Sequence, residues 1–124
     1  MSRTRLARLG AALLVTLGLG FALAGCAPQP GSIELTADTV VLDVRTAAEF
    51  AEGHLDGALN IDVQGAFDTE VAELDRDATY VVYCRTGNRA GTAISRMSDL
   101  GFESLINAGS LSGASTATGL PIVD

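Results

Sequence analysis

The stretch YVVYCRTGNRAGTA, Tyr80 to Ala93, passes from four apolar or aromatic residues to a cysteine, then to a polar loop with a glycine, then to a segment of helical character. Its first five residues form a short apolar run of the kind that a strand buried on both faces requires. Beyond the loop, the apolar or small residues Ala90, Ala93, Ile94, Met97 and Leu100 recur at helical spacing, and Gly101 suits the end of that helix. Strand, tight loop and helix in that order put Cys84 at the C-terminal end of a buried strand.

The flanking sequence repeats the pattern. TVVLDV, Thr39 to Val44, is another short apolar run ending near a polar residue, and Thr46 with Glu49 has the spacing of a capping box for a helix over about Ala47 to Glu52, closed by Gly53. His54 to Asp62 reads as a turn around Gly57 and a brief strand at Ala58 to Ile61. Phe67 to Leu74 fits a helix capped by Asp68, with Val71 and Leu74 on one side. Phe102 to Gly109 supplies a further strand, and residues 110–124 form a weakly patterned tail whose GLPIV segment tucks back on the core. Strands alternating with helices at these spacings predict an α/β fold with a mostly parallel central sheet flanked by helices on both faces. Ligands of such folds bind outside the C-terminal ends of the strands, where LDVR and VYCR both lie.

The N-terminus reads differently. Arg3, Arg5 and Arg8 precede LGAALLVTLGLGFALAG, an uncharged run of 17 residues that ends at Cys26. Basic region, short apolar run and small residues follow the order of a secretory signal, and the run is shorter than the roughly 20 apolar residues of a membrane span. LAGC, Leu23 to Cys26, resembles the bacterial lipobox. The resemblance implies a signal peptide over residues 1–25, lipidation of Cys26, a tether over 26–32 and one domain over 33–124. The expected location is exported and lipid-anchored, on the periplasmic or extracellular face of a membrane.

Beyond residue 25 the chain carries all 15 acidic residues, five arginines and no lysine, a formal charge of about −10 by that count. A surface this acidic argues against a nucleic-acid partner. With Cys26 lipidated, Cys84 has no disulfide partner in the chain, and a free thiol in an exported protein calls for a chemical reason.

The loop supplies one. A tight loop of five residues, Arg85, Thr86, Gly87, Asn88 and Arg89, can curl so that several of its backbone N–H groups point at the Cys84 sulfur. Gly87 permits a backbone conformation that a side chain would forbid, and the start of the next helix adds its positive end. Arg85 and Arg89 bring further positive charge. All favour thiolate over thiol, so Cys84 is the candidate nucleophile and the five loop residues are the candidate anion-binding cradle. One histidine and one such cysteine do not make a metal site, and no cofactor or metal is expected. Thioredoxin-like chemistry lacks its second cysteine in CRTG. Cysteine phosphatases resemble C-x5-R, which would need arginine at Ala90, whereas Arg89 gives C-x4-R.

CRTGNRA, together with DVRTAAEF, GHLDGALNI and the later NAG, resembles the single-domain rhodanese family from about Val40 to Val123. The resemblance implies sulfur transfer, in which Cys84 takes a sulfane sulfur from thiosulfate or a similar small anion and passes it to cyanide or a thiol, including a cysteine of a partner protein. It implies Arg85 as an anion contact, Arg89 as the arginine that organises the loop, and Asp43, Arg45, Glu49 and His54 as supports. It also implies a monomer, because such domains need no partner to complete their sheet. A tethered sulfur carrier or protein-binding module without independent turnover is the alternative from another class. Two departures stand out. Only GSIELTAD, Gly31 to Asp38, precedes the first strand, so an opening helix is shortened or missing, and no tryptophan follows the last core strand, which implies thinner apolar cover there and an altered pocket wall.

Overall fold

The computed structural model describes residues 31–124; the expected signal run and the expected lipidation site at Cys26 lie outside the described residues. In chain order the elements are β1 (Thr39–Asp43), α1 (Ala47–Glu52), β2 (His54–Leu55), β3 (Leu59–Asn60), α2 (Phe67–Val71), β4 (Thr79–Cys84), α3 (Asn88–Asp99), β5 (Leu105–Ser110), α4 (Leu111–Thr118) and β6 (Ile122–Val123). Strands β3, β1, β4 and β5 form, in that order, a sheet whose neighbours are all parallel.

The two central strands explain the apolar runs. Side chains alternate across a strand, so Tyr80, Val82 and Cys84 of β4 enter one apolar layer, with Leu42, Phe67, Val71, Ala90, Ala93 and Met97. Val81 and Tyr83 enter the opposite layer with Val41, Leu55 and Ala114. Helices α2 and α3 therefore cover one face, and α4 with β2 covers the other. Burying each such large side chain contributes roughly 1.5–3 kcal/mol.

Several boundaries differ from the sequence reading. The capping box at Thr46 and Glu49 forms, and α1 ends before Gly53 as expected. Helix α2 starts at Phe67 as expected, but Asp68 is not its cap: Ala66 precedes the helix with no side-chain cap bond, and Asp68, inside the first turn, instead accepts a 2.8 Å hydrogen bond from Arg96 Nε. A turn that Asp62 closes with Gln64 and Gly65 lies just before it. Past Val71 the helical ladder gives way to tighter bonds, Glu73 N–H to Glu70 O and Leu74 N–H to Val71 O, so α2 stops short of Leu74. The last core strand begins at Leu105 rather than Phe102, and Phe102 packs under Tyr80, ring edge to face at 5.4 Å.

The tail holds the largest difference. Residues 111–118 form helix α4, capped by Ser110, whose hydroxyl accepts from Gly113 N–H at 3.0 Å, and ended by Gly119 at φ +76°. Its sequence is small residues with a single buried side chain, Ala114, so no apolar stripe announces it. Thr116 and Thr118 hydroxyls donate to the carbonyls four residues back, which reconciles these residues with a helix. The tail does return to the core: Ile122 and Val123 pair antiparallel with Leu55 and His54, and Leu120 packs on the second apolar layer. No helix precedes β1 among the described residues; Ile33 and Leu35 pack directly on that same layer.

Candidate active site

Cys84 ends β4, and its loop is shorter than the sequence suggested. Helix α3 begins at Asn88, so only Arg85, Thr86 and Gly87 lie outside regular structure, and Asn88 and Arg89 belong to the first helical turn. Gly87 sits at φ +98°, ψ −14°, in the left-handed region where a side chain is strained. A Cβ there would also lie 3.3 Å from Gly109 Cα, so the residue is fixed by both conformation and space. That geometry turns the Gly87 N–H onto the Cys84 sulfur at 2.9 Å.

Burial pushes the Cys84 thiol up, but hydrogen bonds from the backbone N–H groups of Ala90, Thr86, Gly87 and Arg89 outweigh it and hold the thiol below its ordinary value. Backbone amides, more than arginine side chains, are thus the leading source of the thiolate's stabilisation. Cys84 is unpaired among the described residues and has no exposed surface.

The two arginines do different work. Arg89 reaches back across the fold to Glu49, with Nη1 to Oε2 at 2.8 Å and Nη2 to Oε1 at 2.9 Å. The Arg89 hydrogen bond, helped by Thr46, holds the Glu49 carboxyl down at about 2 in spite of partial burial. Arg85 points outward with its side chain 72% exposed, its Nε 4.0 Å from Glu49 Oε1. It borders a cleft of about 360 Å³ whose walls include Glu49, Glu52, Ser110, Leu111 and Ile122. Cys84 lies beside this cleft, in register with Ser110, without lining it. Thr86 and Asn88 are exposed; the Thr86 hydroxyl is 3.5 Å from Asn88 N–H, and the Asn88 carbonyl accepts from Thr92.

Asp43 and Arg45 form a buried pair at the end of β1, 2.6 Å between Oδ2 and Nη2, and the same Nη2 donates to Gly53 O at 2.7 Å. The Arg45 guanidinium lies over the Tyr83 ring, 5.6 Å from its centre, and the Tyr83 hydroxyl accepts from Leu55 N–H. His54 lies outside the cysteine loop, donating through Nδ1 to the Phe50 carbonyl at 2.8 Å and stacking on the Phe50 ring at 3.6 Å.

One side chain that touches the cysteine loop had no assigned role in the sequence reading. Asn107 of β5 donates through Nδ2 to the Gly87 carbonyl at 3.1 Å, and its Oδ1 accepts from Gly109 N–H at 2.9 Å. The NAG segment of the resemblance includes it, but nothing local marks its role, because the contact spans 20 residues and depends on the pairing of β4 with β5. The walls from α4 were likewise hidden in the weakly patterned tail.

A parallel α/β sheet with an amide-cradled cysteine at the end of a central strand defines a class of thiol-based proteins. The rhodanese-like domain family matches residues 33–116, and the chain belongs to that family. It is 32% identical over 88 residues to a sulfurtransferase of Allochromatium vinosum, covering 71% of this chain and 81% of the relative. Identity to the thiosulfate sulfurtransferase PspE of Escherichia coli is 32% over 71 residues, covering 56% of this chain and 68% of that protein. Among solved structures, a rhodanese with anions from E. coli superposes with a TM-score of 0.60 at 28% identity, covering 69% of this chain and 98% of that one. A protein from Lactobacillus plantarum gives 0.58 at 36% identity, covering 70% and 74%.

Proposed function

We propose that the protein is a sulfurtransferase that carries sulfur on Cys84. The observation that bears most weight is the cradle: Gly87 N–H 2.9 Å from the sulfur, with the amides of Thr86, Arg89 and Ala90 also stabilising the thiolate. A ring of amides that stabilises one negative sulfur can stabilise another attached to it.

The thiolate attacks the outer sulfur of thiosulfate. A bond forms between Cys84 Sγ and that sulfur, the thiosulfate S–S bond breaks, and sulfite leaves with the bonding pair. Cys84 then holds a persulfide. Cyanide or a thiolate next attacks the terminal sulfur, departs as thiocyanate or an acceptor persulfide, and returns Cys84 as thiolate. Arg85, exposed on the cleft rim, draws in the donor anion, and the turn formed by Thr86, Gly87, Asn88 and Arg89 shapes the cradle. Glu49 anchors it through Arg89, while Asp43, Arg45 and His54 hold the neighbouring turns.

The full burial of Cys84 favours a second reading, a sulfur carrier loaded only when a partner protein opens the loop. Intact mass of the purified protein before and after thiosulfate, followed by cyanide, separates the two. One added sulfur that cyanide removes supports independent turnover. An unchanged mass in folded protein with a titratable thiol moves the assignment to the carrier.

The same proposal extends to the leader: residues 1–25 direct export and Cys26 bears a lipid that tethers the domain of residues 33–124. Cys26→Ser is then expected to release the domain from the membrane fraction while leaving sulfur transfer intact. A variant that stays membrane-bound would favour an uncleaved anchor.

A further inference from the structure

We infer that Asn107 is a positioning residue for the cysteine loop, holding Gly87 in the conformation that directs its N–H to Cys84. The inference rests on the sulfur-transfer reading for its importance to turnover, though its geometry stands independently.

Strand β5 pairs with β4 through Val82 opposite Asn107, and then through Tyr83 opposite Gly109. Ala108 is the extra residue, and a bulge of this kind re-aims the side chains around it. Asn107 at this bulge bridges two backbone turns. Its Oδ1 takes the Gly109 N–H at 2.9 Å, which leaves the amide nitrogen facing the Gly87 carbonyl at 3.1 Å. An amide side chain can do both because it carries an acceptor and a donor on one rigid plane.

The Gly87 carbonyl has a second donor, Gly91 N–H at 2.9 Å, within the first turn of α3. That bond comes from the helix that the loop itself starts, so it cannot register the loop against the sheet. Asn107 supplies the register from β5. The backbone of Gly109 lies close behind, where a Cβ on Gly87 would come within 3.3 Å of it. Gly87 is therefore held on one side by packing and at its carbonyl by Asn107, and both neighbouring peptide planes follow from its dihedral angles. Without Asn107 the carbonyl keeps only its bond within α3 from Gly91, so Gly87 loses its register to the sheet and its N–H is no longer held on the sulfur.

The test is the pH dependence of Cys84 alkylation by iodoacetamide in the full-length protein, compared with Asn107→Leu, which keeps the size but neither hydrogen bond. Asn107→Ser, smaller and at an exposed position, is the second variant should leucine disturb packing. The alkylation midpoint is expected to rise by roughly half a pH unit or more, as loss of a hydrogen bond that favours the thiolate requires. For thiosulfate turnover, kcat falls about fivefold with KM nearly constant, since the loss falls on the nucleophile and not on the anion's approach. Midpoints that coincide with the wild type in folded variants would overturn the inference, as would a variant that loses the fold altogether, because the inferred role is local to the loop. Alkylation needs no sulfur donor, so absence of turnover in the wild type would count against sulfur transfer while the midpoint still decided the role of Asn107.

Discussion

Glu49 and Arg89 meet through two parallel hydrogen bonds of 2.8 and 2.9 Å, and this single pair ties the first turn of α1 to the first turn of α3. The same carboxylate accepts from Thr46 N–H at 3.0 Å and closes the capping box. One residue thus ends the strand-to-helix turn after β1 and anchors the helix that follows Cys84.

The pH dependence of stability follows from this pair. The Glu49 carboxyl is held down at about 2, chiefly by the Arg89 hydrogen bond, while in the unfolded chain it titrates near 4.5. A carboxyl lowered on folding contributes stability that is fully present above the unfolded value and is lost as pH falls through the folded one. With the side chain one-fifth exposed, the contribution at neutral pH is about 2 kcal/mol after allowance for solvent screening. Glu49→Gln is expected to melt lower than the wild type at pH 6, with the two melting temperatures converging between about pH 4.5 and pH 2. A gap that stayed constant across that window would show that the pair does not act through its charge.

Cys84→Ser is expected to abolish sulfur uptake from thiosulfate and leave thermal melting nearly unchanged. The oxygen retains a small hydroxyl in the same site but is a far weaker nucleophile at neutral pH. Intact mass and a melting curve on one preparation check both halves. Retained turnover would remove Cys84 from the mechanism.

Much of this architecture can be read directly from the chain, and the reasons are local. Val81 and Tyr83 face one layer while Val82 and Cys84 face the other, so β4 shows as an unbroken apolar run. Thr46 and Glu49 are three residues apart, and their box forms as spaced. The elements that escaped depend on distant partners. Strands β2 and β6 are two residues each and exist only because His54 and Leu55 meet Val123 and Ile122. Helix α4 lacks an apolar stripe, and its serines and threonines look like loop until their hydroxyls find helical carbonyls. Asn107 reaches Gly87 only after β4 and β5 pair. The lowered thiol follows from the same local signals: backbone amides lead it, as the loop and its glycine imply, and Arg89, though paired with Glu49, also couples to the Cys84 sulfur.

Asp43 and Arg45 give a prediction of a different kind. Asp43 is wholly buried and Arg45 is 6% exposed, so removing either partner strands a charge in the interior. Arg45→Met is expected to cost roughly 3–5 kcal/mol, and the double variant Asp43→Leu with Arg45→Met to recover part of that loss. Chemical denaturation of Asp43→Leu, Arg45→Met and the double variant measures the coupling. Equal stability of the single and double variants would mean that the pair contributes little beyond packing.

Gly87→Ala isolates what the loop backbone contributes to chemistry. The residue stands at φ +98°, and the added carbon meets Gly109 Cα at 3.3 Å, so strain and crowding act together. Stability is expected to fall by roughly 1–2 kcal/mol from the left-handed conformation alone. Activity falls further, by about tenfold or more, because a shifted Gly87 peptide withdraws an N–H from the sulfur. Gly119→Ala is the matched control: its φ is +76°, but its Cβ position has no neighbour within 4 Å and it caps α4 away from the cysteine loop. The control is expected to lose comparable stability with sulfur transfer unchanged. If Gly87→Ala lost stability alone, with kcat and the alkylation profile of Cys84 intact, the left-handed turn would be a requirement of folding and not of thiolate chemistry.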